Sequence, residues 1–362
     1  MKDVGIVGLP RSGKTTLFNA LTRAGAPAGG AAGKASVAAV PVPDFRVDVL
    51  AELERSRKKV FVQARFVDVA GLSVGGPGGG LAAQGPRGPG GSSLAPRYLG
   101  ALREADALAM VLAAWDEAGP DPAEAAAELT LELTVADLES IAGGADKATK
   151  KAKAGVNDAA LEASVLARAR DLLDQGTPLR AAGWEPQEAR VLRNFAPLTL
   201  KPALAVLNLA EADAARAAER AAEAEAKLGL PTVAVAAALE AEAAELPPED
   251  AADLLAGYGI ERGGLDQVVG AAWRLLDLLT FLTTGEDETR AWEVRRGATA
   301  PEAAGRIHSD LQRGFIRAEV IPYEDVVAAG GWDAARSQGL LRTESKSYVV
   351  QEGDVLHVRF NV

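Results

Sequence analysis

The residues best suited to chemistry stand near the start of the chain, where residues 8–15 read GLPRSGKT. The spacing G-x-x-x-x-G-K-[ST] is typical of a phosphate-binding loop. Its glycines let backbone N–H groups approach a polyphosphate, its lysine reaches the β- and γ-phosphates, and its hydroxyl residue binds Mg²⁺. We therefore predict that Lys14 contacts phosphate during catalysis and that Thr15 binds Mg²⁺. The predicted nucleotide-binding residues of the loop are Gly8, Pro10, Arg11, Ser12, Gly13, Lys14, Thr15 and Thr16.

The segments around this loop favour a nucleotide site over a chance match in a glycine-rich chain. Residues 3–8, DVGIVG, predict a buried strand, and TTLFNALTRA after the loop has the apolar spacing of a helix. A second predicted strand, FVDVAG, ends in the pattern D-x-x-G. We expect Asp68 to hold Mg²⁺ through water, and Gly71 to let the following loop move toward the γ-phosphate during catalysis.

A candidate base site is NLAE, residues 208–211, which follows a buried strand. GTPases carry N-K-x-D there, so that the aspartate accepts two hydrogen bonds from guanine and the lysine packs over the base. Here Leu209 replaces the lysine and Glu211 the aspartate, which weakens the guanine contact and leaves ATP and GTP both open. An ordinary strand-to-loop turn is the alternative. The predicted base-side contacts are Asn208, Leu209, Glu211, and the backbones of Ala236 and Ala237.

These motifs require an α/β fold with a mostly parallel sheet, which we assign to residues 1–120 and 196–278. Two helical patterns, at 121–142 and 158–175, predict an inserted hairpin domain, residues 121–195, with a lysine-rich tip. A predicted helix at GLDQVVGAAWRLLDLL leads to the final segment. Residues 279–362 combine alternating strands, including SYVVQEG, with one helix at APEAAGRIHSDLQRG capped by Thr299, which predicts a small β-grasp-like α+β domain.

The composition of the 362-residue chain excludes several function classes. Cys 0 rules out disulfides, thiolate nucleophiles and cysteine-bound metals, and suits a reducing cytoplasm. No apolar run approaches the roughly 20 residues needed to cross a bilayer, and no export signal is visible, so we expect a cytoplasmic protein without a membrane partner. The net charge of −11 argues against a uniformly basic nucleic-acid binder, although a local basic patch remains compatible with RNA.

The sequence resembles the YchF family of Obg-related P-loop NTPases, a translation-factor class, over nearly its whole length. The resemblance rests on GLPRSGKTTLFNALT, VPVPDFRVDVLAEL, FVDVAGL, LTLKPALAVLNLAE, GATAPEAAGRIHSDLQRGFIRAEVI and VVQEGDVLHVRFNV. It implies a G domain with a coiled-coil insertion, a C-terminal TGS-type domain and association with ribosomes or ribosomal RNA. It also implies Mg²⁺ with ATP accepted as well as or better than GTP. We expect a monomeric, ribosome-associated ATPase.

Other residues leave turnover less well supported than binding. Leu72 stands where many GTPases place the glutamine that orients the attacking water, and both histidines, His308 and His357, lie in the C-terminal domain. The first switch region contains Ser36 but no threonine. Alternatives are therefore a nucleotide-dependent ribosome- or RNA-binding module with little or no hydrolysis, and a GTP-preferring GTPase. The lysines of the hairpin tip either are solvated or contact RNA phosphates.

Overall fold

The computed structural model describes most of the chain and divides into two compact units. The first unit contains Met1–Val40 and Arg65–Ala272, and the second contains Pro41–Ala64 and Trp273–Val362. The described residues are 2–22, 35–69, 96–115, 119–154, 159–260 and 263–361.

The secondary structure alternates strands and helices in the first unit and is richer in strands in the second. The strands are β1 (Lys2–Val7), β2 (Ala35–Pro41), β3 (Lys59–Val60), β4 (Gln63–Val69), β5 (Ala107–Ala114), β6 (Ala203–Leu209), β7 (Thr232–Val235), β8 (Leu278–Thr283), β9 (Thr289–Arg295), β10 (Phe315–Pro322), β11 (Arg342–Glu344) and β12 (Asp354–Phe360). The helices are α1 (Lys14–Thr22), α2 (Phe45–Leu53), α3 (Pro96–Glu104), α4 (Pro122–Lys153), α5 (Ala159–Asp174), α6 (Pro186–Arg193), α7 (Ala217–Leu228), α8 (Ala237–Ala244), α9 (Pro248–Gly257), α10 (Gly264–Arg274), α11 (Ala300–Ile307), α12 (Ser309–Arg313), α13 (Tyr323–Ala329) and α14 (Trp332–Ser337).

The first unit is built on a six-stranded sheet with the strand order β2-β4-β1-β5-β6-β7. The pairs β1–β5, β5–β6 and β6–β7 are parallel, which confirms the predicted fold class. Strand β6 is buried along its whole length, as expected of a strand covered on both faces. The loops after β1, β5, β6 and β7 therefore gather at one side of the sheet, here called the carboxyl edge, while the residues preceding these strands form the amino edge.

Helices α4 and α5 form the predicted hairpin. Its core contains Ile141, Ala145, Val165, Leu166 and Ala169, all buried, and the first half of α4 packs on the sheet instead. Asp137, fully buried on α4, accepts hydrogen bonds from the backbone N–H groups of Leu198 (2.8 Å) and Thr199 (2.7 Å). The hairpin and the sheet belong to one compact unit.

The prediction of a lysine-rich loop at the hairpin tip is wrong for the lysines themselves. Helix α4 continues to Lys153, so all four lysines lie on its C-terminal turns. Alanine and lysine favour helix strongly enough to carry it through the two glycines. One of these, Gly144, is required by packing, because a Cβ there would lie 2.3 Å from the Phe195 ring. The four lysines are Lys147, Lys150, Lys151 and Lys153.

The second unit contains a six-stranded sheet ordered β11-β10-β12-β8-β9-β3. Its antiparallel pairs are β10–β11, β10–β12 and β8–β9, whereas β12–β8 and β3–β9 are parallel. One face of this sheet packs on α11 around Phe281, Phe315 and Leu356, which confirms the expected α+β architecture. Thr299 caps α11 through a reciprocal capping box with Glu302.

Three local predictions in the second unit are wrong. SYVVQEG is not a strand but makes an isolated bridge between Val349 and Thr299. The residues LLTFLT form strand β8, whereas the sequence placed their start at the end of a helix, because a short apolar run fits either structure. The single helix predicted after Thr299 is two helices, α11 and α12, separated at His308, whose Nδ1 accepts a hydrogen bond from the Asp310 N–H at 3.1 Å.

The segment Pro41–Ala64 belongs to the second unit, whereas the sequence placed it in the nucleotide-binding domain. Strand β3 pairs with β9, Arg46 forms an ion pair with Glu352 at 2.6 Å, and Ser56 Oγ lies 2.8 Å from Thr289 Oγ1. These contacts join residues more than 200 positions apart, which sequence spacing cannot reveal. The other predicted domain boundaries stay predictions.

Candidate functional site

The phosphate-binding loop joins β1 to α1 at the carboxyl edge. The Lys14 ammonium donates hydrogen bonds to the backbone carbonyls of Gly8 (3.0 Å) and Leu9 (2.8 Å), so the side chain folds back over its own loop. Burial lowers the pKa of Lys14 to about 8, and the nearby Asp68 carboxylate opposes this shift. The loop thus holds a partly desolvated cation whose partners are neutral carbonyl groups.

Two glycines let the loop close tightly. A Cβ at Gly8 would lie 2.5 Å from both Ser12 Oγ and the Val111 carbonyl oxygen. Gly13 has a φ of +88°, and a Cβ there would lie 2.0 Å from Asn208 Nδ2. Only glycine meets both demands at Gly13, the left-handed backbone and the close approach of a neighbour. The predicted role of these glycines in shaping the loop therefore has a direct steric basis.

The two predicted Mg²⁺ ligands lie side by side. Thr15 Oγ1 donates a hydrogen bond to Asp68 Oδ2 at 3.1 Å. Asp68 is 4% exposed, and burial raises its pKa, while the Thr15 hydrogen bond and the Lys14 charge lower it. Hydroxyl and carboxylate oxygens are the hard ligands that Mg²⁺ prefers, and this ion usually takes one or two protein ligands with phosphates and waters completing the shell. The residues therefore fit Mg²⁺.

Two buried hydroxyls at the loop have no hydrogen-bond partner among the described residues. Ser12 Oγ is one, on a side chain 3% exposed. The other is the Tyr98 hydroxyl on α3, which lies near the Gly8 backbone and Asp68 but makes no hydrogen bond of ordinary geometry. Burial, with the Asp68 charge, raises the pKa of Tyr98, which stays protonated. Buried donors without a partner destabilise a folded protein unless a ligand or a water molecule accepts their hydrogen bond.

Asn208 connects the phosphate loop to the base-side loop. Its Nδ2 donates to the Ser12 carbonyl at 3.3 Å, and its Oδ1 accepts from the Ala237 N–H at 3.2 Å. The side chain is 6% exposed at the end of β6. The residue predicted to contact the base therefore also fixes the spacing between the two loops.

The remaining base-side residues are arranged unevenly. Leu209 is 3% exposed and packs in the core with Leu112 and Ala126, because successive strand residues face opposite sides of a sheet. Its side chain does not line an open base site, so only its backbone is left for that predicted role. Glu211 is exposed at the start of a short 3-10 turn, and the buried Ala236 and Ala237 are the N-cap and the first residue of α8.

The other predicted residues are placed as follows. Thr16 lies in the first turn of α1, and Pro10 and Arg11 lie on the loop, with Arg11 exposed. Ser36 is half-buried on β2. Gly71 and Leu72 lie outside the described residues.

Sequence reasoning missed Trp115 at this site. Trp115 directly follows β5 and is 39% exposed. Its indole lies close to Gly13, because a Cβ added at Gly13 would be 3.5 Å from the indole ring. The same reasoning treated Tyr98 only as part of a helix. The available signal for Trp115 was its position, since an aromatic residue following a buried parallel strand falls at the carboxyl edge.

Other kinds of site are not found in the part of the chain that the structure describes. There, no group of three or more histidine, aspartate or glutamate side chains is arranged to hold a metal ion. Within the same residues, no helix has both the length and the apolar character needed to span a membrane.

Comparisons with known proteins agree with this geometry. Residues 278–361 match the family model YchF-GTPase_C, described as a protein of unknown function (DUF933), and residues 3–141 match a model described as a 50S ribosome-binding GTPase. The chain is 39% identical to the Ribosome-binding ATPase YchF of Haemophilus influenzae and 37% identical to that of Bacillus subtilis. Each alignment covers 99% of this chain and 99% of the relative.

More distant relatives cover the same extent. The chain is 31% identical to Obg-like ATPase 1 of Oryza sativa subsp. japonica, over 99% of this chain and 92% of that protein. Its structure is similar to the solved structure of the Schizosaccharomyces pombe YchF GTPase, with a TM-score of 0.81 and 26% identity over 99% of this chain and 97% of that one.

Proposed function

Because the chain belongs to the YchF family, we propose that it is a ribosome-binding P-loop NTPase that hydrolyses ATP in preference to GTP. The observation that best supports hydrolase activity is the 3.1 Å hydrogen bond between the Thr15 hydroxyl and the Asp68 carboxylate, close to the Lys14 ammonium. This set offers a cation and two oxygen ligands at the carboxyl edge, where nucleotides bind in parallel sheets.

Mg²⁺ is the proposed cofactor, held by Thr15 and Asp68. When bound, it would neutralise charge on the phosphate oxygens as a Lewis acid. The chain itself contributes the loop that places the phosphates. Lys14 exchanges its carbonyl acceptors at Gly8 and Leu9 for phosphate oxygens, which bind an ammonium more strongly because they are charged.

The preference for ATP follows from the base-side residues. Guanine needs an acceptor for its N1–H and N2–H groups, and GTPases supply an aspartate. Here Glu211 is exposed on a 3-10 turn and Leu209 is buried in the core. Asn208 Nδ2 and Oδ1 each make one hydrogen bond within the protein, which leaves the second Nδ2 hydrogen for a base contact that does not depend on an acidic residue. A site without a firm acidic contact loses discrimination for guanine.

The proposed partner is the ribosome, as the names of the bacterial relatives state for those proteins. The chain has a net charge of −11, so its local basic clusters stand out as sites for RNA phosphates. One such cluster is the lysine group on the last turns of α4. We further propose that the protein acts as a cytoplasmic monomer.

Calorimetric titration with ATP and GTP in the presence of Mg²⁺ tests the base preference. ATP is expected to bind at least about threefold more tightly than GTP. The expected ratio is modest because the site differs from a GTPase site mainly in the loss of one acidic contact to guanine. A Trp115→Phe variant, titrated in parallel by fluorescence, identifies the signal that arises at the carboxyl edge. GTP binding as tight as ATP binding, or tighter, would contradict the proposed preference for ATP.

A phosphate-release assay tests hydrolysis, with Lys14→Ala as the blank. The wild-type protein is expected to release phosphate well above this blank, and Asp68→Asn is expected to raise the Mg²⁺ concentration needed for half-maximal activity. Turnover equal to the blank, together with measurable nucleotide binding, would replace the hydrolase by a nucleotide-dependent binding module.

A further inference from the structure

Arg11 is the exposed side chain of the phosphate-binding loop. Among residues 8–14, the others are buried or half-buried, and Lys14 is held by the carbonyls of Gly8 and Leu9. Arg11 has no hydrogen bond or ion pair within the described residues. By contrast, Arg65 in the same unit is paired with Asp3. Among the described residues, the loop therefore presents one guanidinium without a hydrogen-bond or ion-pair partner.

The backbone of Arg11 is held in a conformation that favours glycine. Its φ is +65°, in the left-handed region, where a residue with a Cβ loses free energy relative to glycine. Residues held in such conformations cluster at active sites and ligand-binding loops. An arginine at this position therefore has a cost in stability that a glycine would remove.

Hydrolysis of a phosphoanhydride is accelerated by positive charge placed beside the γ-phosphoryl group in the transition state. Negative charge is spread over the γ-phosphoryl oxygens as the bond to the β–γ bridging oxygen breaks, and an arginine that reaches these oxygens accelerates the reaction strongly. The chain lacks the usual glutamine after Gly71, where Leu72 stands, and both of its histidines lie in the second unit. A charge supplied from the loop itself would meet this need.

We propose that Arg11 is a catalytic residue whose guanidinium contacts the γ-phosphoryl oxygens in the transition state. The water oxygen forms a bond to the γ-phosphorus, the bond from that phosphorus to the bridging oxygen breaks, and the nucleoside diphosphate leaves with the electron pair. The proton of the water passes to the phosphate product and solvent, and Arg11 keeps its protons throughout. This role rests on the hydrolase activity proposed above.

The decisive variant is Arg11→Gly, because it removes the charge and relieves the left-handed backbone together. The folded protein is expected to melt at the same or a higher temperature. Single-turnover hydrolysis of ATP is expected to fall about 100-fold or more, while the dissociation constant for ATP changes less than about fivefold. Millimolar guanidinium chloride is expected to restore part of the rate to this variant and none to Lys14→Ala.

Arg55→Gly is the matched control. Arg55 is also exposed and also left-handed, with a φ of +54°, but it follows α2 in the second unit. Its glycine variant is expected to gain similar stability with unchanged turnover. Arg11→Lys keeps a charge without the planar fork and is expected to have an intermediate rate.

Binding of ADP with aluminium fluoride, compared with ADP alone, provides a second readout. The wild-type protein is expected to bind the fluoride complex more tightly, and Arg11→Gly is expected to lose most of that gain. Arg11→Gly turnover within threefold of an active wild-type protein, or equal losses in rate and ATP affinity, would overturn the role of Arg11 alone. Wild-type turnover no higher than that of Lys14→Ala would overturn the hydrolase and this role together.

Discussion

The two edges of the first unit's sheet use polar side chains in opposite ways. At the amino edge, Asp106 accepts from the Lys2 ammonium at 2.6 Å and from the Asp3 N–H at 2.9 Å, and Arg65 pairs with Asp3. At the carboxyl edge, Ser12 Oγ has no partner within the described residues. The charges of Lys2, Asp3 and Asp106 at the amino edge are paired within the folded chain, whereas the carboxyl edge has hydroxyl donors that a ligand can satisfy.

Two lysines make the contrast concrete. Lys201, ahead of β6, donates to the carbonyls of Arg103 (3.0 Å) and Ala105, much as Lys14 donates to two loop carbonyls. Burial lowers the pKa of both ammonium groups. Similar local bonding thus occurs at both edges, and only the position in the sheet separates Lys201 from Lys14, the lysine predicted to bind phosphate.

The largest expected effect separates these lysines. Lys14→Met is expected to weaken ATP binding about 100-fold or more, and to lower stability as well because the carbonyls of Gly8 and Leu9 lose their donor. Lys201→Met is expected to lower the free energy of unfolding by about 2 kcal/mol, because buried carbonyls lose their donor, and to leave ATP affinity unchanged. Thermal unfolding and calorimetry of both variants check this, and equal behaviour of the two would break the contrast.

A second prediction concerns the backbone at the carboxyl edge. Gly13→Ala is expected to weaken ATP binding at least about tenfold, because the new methyl group would displace Asn208. The control is Gly229→Ala at the end of α7, where φ is +62° and nothing lies within 4 Å of the added Cβ. That variant is expected to cost about 1 kcal/mol of stability without affecting binding. Calorimetric titration of both proteins distinguishes the steric effect from backbone strain.

A smaller effect is expected at the amino edge. Asp106→Asn keeps the shape of the side chain but removes the charge that faces Lys2, and both groups are partly exposed. The free energy of unfolding is expected to fall by about 1 kcal/mol in urea titration, and less at high salt. Nucleotide affinity is expected to stay unchanged, and a loss of affinity would mean that this edge is linked to the site.

The smallest prediction concerns pH and the second unit. Burial and the nearby Arg359 and Arg336 charges lower the pKa of His357, although Glu319 opposes the shift. The folded state therefore binds a proton less readily than the unfolded state, so stability is expected to fall as the pH drops through about 6.5. His357→Gln is expected to flatten this part of the profile, measured by urea unfolding between pH 5 and pH 8. An unchanged slope would assign the dependence to other groups.

The strand, loop and helix at residues 2–22 could be predicted from the sequence because they depend on local spacing, whereas the phosphate and Mg²⁺ roles of the loop residues stay predictions. Gly8, Gly13, Lys14 and Thr15 lie within eight consecutive residues, and Asp68 lies on the neighbouring strand β4. The loop, the predicted Mg²⁺ ligands and the parallel sheet can therefore be inferred from patterns a few residues long.

Features that depend on distant partners were not predictable in the same way. Leu209 was assigned to the base because its neighbours in sequence suggested it, but the alternation of β6 directs it into the core. Segment Pro41–Ala64 was assigned to the wrong unit because its pairing strand lies far along the chain. Helix α4 extends beyond the predicted pattern at 121–142 to Lys153, and within this extension Gly144 packs against Phe195, a residue distant in sequence.

Hydrogen–deuterium exchange with and without Mg²⁺ and ATP tests most directly whether the carboxyl edge is the ligand site. Protection is expected at residues 8–15 and 208–211, where the loop and Asn208 meet. No change is expected at residues 2–3 and 201–203, where charges are already paired within the protein. Protection confined to the amino edge, or none at residues 8–15 under saturating nucleotide, would contradict the assignment.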